Sequence, residues 1–228
     1  MTSKFLKTKC LIAAATCLMA NQCFAWGLAG GLVQSKLEAK DYDGLKIDSN
    51  GVTGSILFGD FDSQLTPALN ASYQKGDGDT RHGPLPTDYY GKLESNYFEG
   101  TGTLGYLLYN PTNFTLRLTF GLGLGVADLK LKHPTEGTIS SNATFLVAPI
   151  GLEASYLVPN TNLSFFGGAS YKYLMDVSEA RTRCADGTSS STSGYRACDG
   201  HDGISFESDF ISGDLKGWQF AIGGKLYF

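Results

Sequence analysis

The chain has 228 residues, 18 of them basic and 22 acidic, with 29 glycines and five cysteines. Its formal charge of −4 argues against nucleic acid as a partner and weakly against anionic surfaces. The glycine share is high for a globular enzyme, and 228 residues suffice for one barrel or one large sandwich domain.

Residues 1–25 read as a cleaved signal peptide. Lys4, Lys7 and Lys9 precede an apolar stretch over 10–20, and Asn21, Gln22, Cys23 and Phe24 lead to the small residue Ala25. The alternative of a membrane anchor is disfavoured, because that stretch falls well short of the roughly 20 residues a spanning helix needs. Thr16 and Gln22 are poor residues to precede a lipidated Cys17 or Cys23. Cleavage after Ala25 leaves 26–228 as one domain, carrying 15 basic and 22 acidic residues and hence a charge of −7. Only Cys184 and Cys198 remain, and two cysteines in an exported chain read as one disulfide, with free thiols as the alternative.

Beyond the signal no apolar stretch is long enough for a spanning helix, and what recurs is alternation. Segments 26–37, 51–61, 66–75 and 92–109 are legible as strands. From 114 to 126 the set Phe114, Leu116, Leu118, Phe120, Leu122, Leu124 and Val126 opposes Thr, Arg and Gly, and exceeds the roughly 9 to 11 residues of a tilted membrane strand. From 146 the set Leu146, Ala148, Ile150, Leu152, Ala154, Tyr156 and Val158 opposes Glu153 and Ser155. From 163 Leu163, Phe165, Ala169, Tyr171, Tyr173 and Met175 oppose Ser164, Ser170, Lys172 and Asp176. In the last strand Trp218, Phe220, Ile222, Leu226 and Phe228 oppose Gln219, Ala221, Lys225 and Tyr227. Period two with unlike faces means strands, and these make about eight: an all-β, antiparallel up-and-down transmembrane barrel.

The connections alternate in length as they do in membrane barrels, which carry short periplasmic turns and long external loops. With periplasmic termini, the turns are 59–65, 110–113 and 159–162, and the loops are 38–50, 76–91, 133–143 and 177–214. A soluble barrel with an apolar interior is disfavoured. The polar face is Gly, Ser and Thr with isolated charges, too sparsely charged for solvent. No charge interrupts the apolar face of the four clearest strands, where Arg or Lys would cost about 2 to 4 kcal/mol at the bilayer midplane. Trp26, Phe114, Tyr156 and Phe228 near one rim, with Tyr173 and Trp218 near the other, supply candidate aromatic girdles.

The ending Gly223-Gly224-Lys225-Leu226-Tyr227-Phe228 resembles the carboxy-terminal signal that the outer-membrane insertion machinery reads, through Gly223, Leu226 and Phe228; Ala221 replaces the usual polar residue. In architecture the chain resembles small eight-stranded bacterial outer-membrane barrels of the OmpA-barrel and OmpX type. That resemblance implies the outer membrane, its lipid and lipopolysaccharide, and the insertion machinery and periplasmic chaperones as partners, and assigns no activity.

Three sets of residues are candidates for function. Glu99, Arg117, Glu153, Lys172 and Lys225 fall on the lumen face, where charges must pair or stay wet. Arg117 could meet Glu153 on the neighbouring strand and Glu99 could pair with Lys172, as a gated ion path or, preferred because eight strands leave room only for side chains, as an ion-pair plug. Cys184 and Cys198 enclose a polar segment presenting Tyr195 and Arg196, either as a binding loop or as a staple against proteolysis. His201 with Asp199, Asp202 and Ser205 has the residue types of a hydrolytic triad, and His82 and His133 also lie in expected loops, but the strand-borne His and Ser two apart of a lipid A deacylase are absent. Asp77 and Asp79 resemble the start of a calcium loop that no downstream Glu completes. The expectation is a non-enzymatic surface barrel with no metal or cofactor, whose loops bind host or cell-surface ligands or whose role is structural; a lipid A-modifying enzyme and a narrow ion pore are the alternatives.

Overall fold

Residues 25–39, 46–81, 90–133, 137–177, 181–183, 189–191 and 214–228 are described in the computed structural model. The strands are β1 (Trp26–Ala39), β2 (Lys46–Phe58), β3 (Leu65–Arg81), β4 (Tyr90–Tyr109), β5 (Phe114–His133), β6 (Gly137–Leu157), β7 (Leu163–Asp176), β8 (Arg181–Arg183), β9 (Ser189–Ser191) and β10 (Leu215–Tyr227). Strands β1 to β7 and β10 pair antiparallel with their neighbours, and β1 with β10 closes the ring, so the barrel has eight strands. The short β8 and β9 continue from the free edge of β6 above β7, at Ser140 to Asn142.

The registers fix the inclination of the strands. Following direct partners from Ala29 through Ser55, Asn70, Thr101, Gly123, Val147, Leu174 and Leu215 returns to β1 at Ala39. One circuit therefore climbs ten residues, from 29 to 39, and a staggered closure of this kind belongs with strands tilted by about 35 to 45°.

The alternation read from sequence sorts to two sides. Leu32, Leu122 and Ile222, 62%, 62% and 63% exposed, stand outward with Leu28, Val52, Ile56, Leu69, Leu124 and Phe165. Ser, Thr, Asn and Gly from the same strands turn into the lumen. Exposed side chains of this kind over a whole girdle need an apolar solvent, since water would charge roughly 25 cal/mol per Å² for them.

The short turns fall where expected. They close with Gly59 and Asn160 at positive φ, 131° and 61°, a region that Gly and Asn tolerate, and with Thr112 at 51°. Phe61, expected at the end of a strand, lies beyond β2 and caps the barrel mouth, edge-on to Tyr227 at 6.1 Å between centroids.

The long loops are a correction. Much of 38–50, 76–91 and 133–143 is strand: β2 begins at Lys46, β3 reaches Arg81, β4 begins at Tyr90, and β5 and β6 run to His133 and from Gly137. Beyond the apolar girdle the alternation inverts. Ile47, Leu93, Leu129 and Phe145 turn inward while Lys46, Lys92, Lys130 and Asn142 face out, so the barrel wall continues with water outside and a core within. Asp77 accordingly lies on β3 as an exposed strand residue rather than in a loop.

Candidate functional site

The lumen has three levels. At the loop end Leu37, Ile47, Leu93, Tyr97, Leu129, Phe145, Val147, Leu174 and Leu215 form one buried apolar cluster. At the turn end Leu57, Phe61, Ala68 and Tyr227 form another. Between them lies a partly open cavity of about 160 Å³, lined by threonines and serines, by Glu99, Arg117, Glu153, Lys172 and Lys225, and by apolar side chains such as Leu57, Ala68 and Phe166. That volume holds several waters, given the roughly 30 Å³ each occupies in the liquid.

Glu99 is the hub of the loop-end side. Its carboxylate pairs with the Lys172 ammonium from across the lumen, and accepts from the Tyr97 hydroxyl at 2.8 Å and from Ser72 at 3.1 Å. Ser72 in turn accepts from Gln74 at 3.3 Å, and Gln74 accepts from Ser49 at 3.0 Å. A polar chain thus joins β2, β3, β4 and β7 inside a ring where Lys172 is 2% and Glu99 5% exposed.

Arg117 and Glu153 do not form the pair expected of them. They are direct register partners, yet the Glu153 carboxylate pairs with Lys225 of β10 and accepts from Ser155 at 3.3 Å. The Arg117 guanidinium instead reaches toward the turn end, where Nη2 donates to the carbonyls of Phe61 at 2.7 Å and Ser63 at 2.9 Å. With the Glu153 carboxylate held by Lys225, the Arg117 guanidinium extends away from it and takes the turn carbonyls as its acceptors. Lys225 also sits over the Phe166 ring, 5.1 Å from its centroid.

Tyr97, Gln74 and Phe61 were missed as lumen residues by sequence reasoning. Tyr97 and Gln74 carry a signal, being in phase with Glu99 and Ser72 on alternating strands; Phe61 carries none. Cys184, Cys198, Tyr195, Arg196, Asp199, His201, Asp202, Ser205 and His82 lie outside the described residues, and His133 ends β5. Among the described residues no group of three His, Cys, Asp or Glu could hold a metal.

At the carboxy terminus Gly223 faces Gly31 across β1, and a Cβ on Gly223 would stand 2.1 Å from the Gly30 carbonyl oxygen. Glycine is what lets the two strands approach here. Leu226 and Phe228 face outward, 42% and 54% exposed, and Phe228 stacks on Trp26 at 4.5 Å between centroids.

A closed eight-stranded ring with an apolar girdle outside, charges paired inside and aromatics at its rim defines a membrane β-barrel. Its fold is that of the small outer-membrane barrels of bacteria. A major outer membrane protein from Thermus thermophilus is similar with TM-score 0.56 and 13% identity, over 90% of this chain and 99% of that one. The outer membrane protein OprG from Pseudomonas aeruginosa is similar with TM-score 0.50 and 13% identity, over 90% and 96%. No protein-family model and no curated protein matches the sequence.

Proposed function

We propose that this protein is a non-enzymatic surface barrel of the bacterial outer membrane, exported by residues 1–25 and inserted with its termini in the periplasm. The single observation that carries this reading is a lumen packed with side chains at both ends. Apolar side chains cluster at both ends of the lumen with the ion-paired level between them, an arrangement that supports a filled interior over a path or a reaction site. The connection from 178 to 213 is the longest in the chain, and as an external loop, tied by a Cys184–Cys198 disulfide, it is the element with room for a host or cell-surface ligand. Gly223, Leu226 and Phe228 act as the insertion signal under this reading.

The test is deletion of 178–213 in an expressing strain, followed by adhesion to host cells, to extracellular matrix and to neighbouring bacteria. Loss of one of these with normal surface expression is the expected outcome; retention of all of them refutes loop-mediated binding and leaves the structural role. A changed lipid A acyl pattern in a strain lacking the protein would instead support the enzyme.

A further inference from the structure

The charges that line the lumen cavity do not balance: Arg117, Lys172 and Lys225 stand against Glu99 and Glu153. Lys172 pairs with Glu99 and Lys225 with Glu153. Among the described residues the guanidinium of Arg117, a residue only 3% exposed, is thereby left without a carboxylate. The turn it reaches carries Asp60 and Asp62, but both are exposed and neither pairs with it. Its contacts are neutral oxygens, the carbonyls of Phe61 and Ser63 at Nη2 and the Thr115 hydroxyl 3.4 Å from Nη1. A buried cation held by neutral groups alone still lacks a counter-charge.

One more donor of Arg117 remains, and the fold leaves space beside it. Nε of Arg117 and Oγ1 of Thr66 are both buried and meet no partner among the protein's own groups, and both residues line the cavity. They flank the same glycine. Gly105 on β4 is the register partner of Thr66, and a Cβ built on it would stand 3.3 Å from Cδ of Arg117 and 3.9 Å from Cβ of Thr66. The missing side chain thus leaves a recess with a guanidinium N–H on one side and a hydroxyl on the other. Water would satisfy either donor but brings no charge.

We propose that this recess, formed by Thr66, Gly105 and Arg117, binds one small monovalent anion of halide size. A single excess positive charge in the lumen sets the valence, since a dianion would only reverse the imbalance. Glu153, beside Arg117 in register, does not take the place of the anion because its carboxylate is neutralised by Lys225. The role is structural: the ion completes the charge balance of the filled lumen.

The test uses the barrel extracted from membranes of an expressing strain and exchanged into gluconate buffer in detergent. Urea unfolding is followed at fixed ionic strength while bromide replaces gluconate. For one site that unfolding destroys, the folded-to-unfolded ratio should rise about tenfold for each tenfold of bromide once the site is filled. Arg117→Met should abolish that dependence, and Thr66→Val, which keeps the shape and removes the hydroxyl, should move its onset to about tenfold higher bromide. Glu99→Gln with Lys172→Met, a charge-neutral change elsewhere in the lumen, should leave it intact. Crystals grown in bromide should show an anomalous difference peak beside Arg117 Nε. Stability indifferent to bromide in the unsubstituted protein, or an equal dependence in Arg117→Met, overturns the site. Should Arg117→Met fail to fold, the crystals decide: a peak over Gly105 supports the site, and its absence there overturns it.

Discussion

Glu99 gathers Lys172, Tyr97 and Ser72 around one buried carboxylate. Removing its charge leaves the ammonium of Lys172 in a site where that residue is 2% exposed. A single Glu99→Gln or Lys172→Met substitution should therefore destabilise by about 3 to 5 kcal/mol, while the double substitution, which leaves no orphan charge, should recover most of the loss. Urea unfolding in lipid vesicles, followed by fluorescence of Trp26 and Trp218, reads this as a strongly non-additive cycle; additive effects would deny the pair. At Thr112 the sign reverses. A β-branched residue at φ 51° is strained where Asn is not, so Thr112→Asn should raise stability by about 1 kcal/mol in the same assay. The opposite charges of Glu99 and Lys172 were readable on lumen-facing positions of the sequence. The partners of Arg117 were not, because they are backbone carbonyls 54 and 56 residues away that carry no side-chain signature.

Strand positions were legible wherever one face is continuously apolar, and the three short turns with them. The extensions of β2 to β6 were not, for a physical reason. Past the girdle the outer face becomes Lys46, Lys92 and Lys130 and the inner face becomes Ile47, Leu93 and Leu129, so the period persists while its sense inverts, and a reader expecting apolar outside sees a polar loop. The inversion makes a sharp prediction. Leu129, 1% exposed, should cost about 2 to 5 kcal/mol as Leu129→Ala, as a core leucine does, although it lies beyond the girdle. Its neighbour Lys130→Ala should stay within about 0.5 kcal/mol, the usual range for an exposed position. Within the girdle the rule is opposite: Leu122, 62% exposed, should cost about 2 to 4 kcal/mol as Leu122→Arg if it stands near the midplane. A soluble barrel with the same fold would tolerate Leu122→Arg, so the three substitutions together separate the two solvents of the outer wall.

At the scale of the whole molecule, the two apolar clusters and the ion pairs between them bear on transport together. Eight strands leave an interior that side chains can fill, and here Tyr97, Phe145 and Leu174 fill it at one end while Phe61 and Tyr227 fill it at the other. An ion crossing would need to pass both apolar clusters, which disfavour a hydrated ion, and also to separate Lys172 from Glu99 and Lys225 from Glu153. The barriers are in series, so loosening one leaves the others standing. Planar bilayers containing the unsubstituted protein should accordingly show no stable conductance steps, and neither should Glu99→Gln, which touches the ion-paired level alone. Steps in the unsubstituted protein that change size with Arg117→Ala would mean that the apolar clusters part in the membrane, and the lumen would then be a pore rather than a plug.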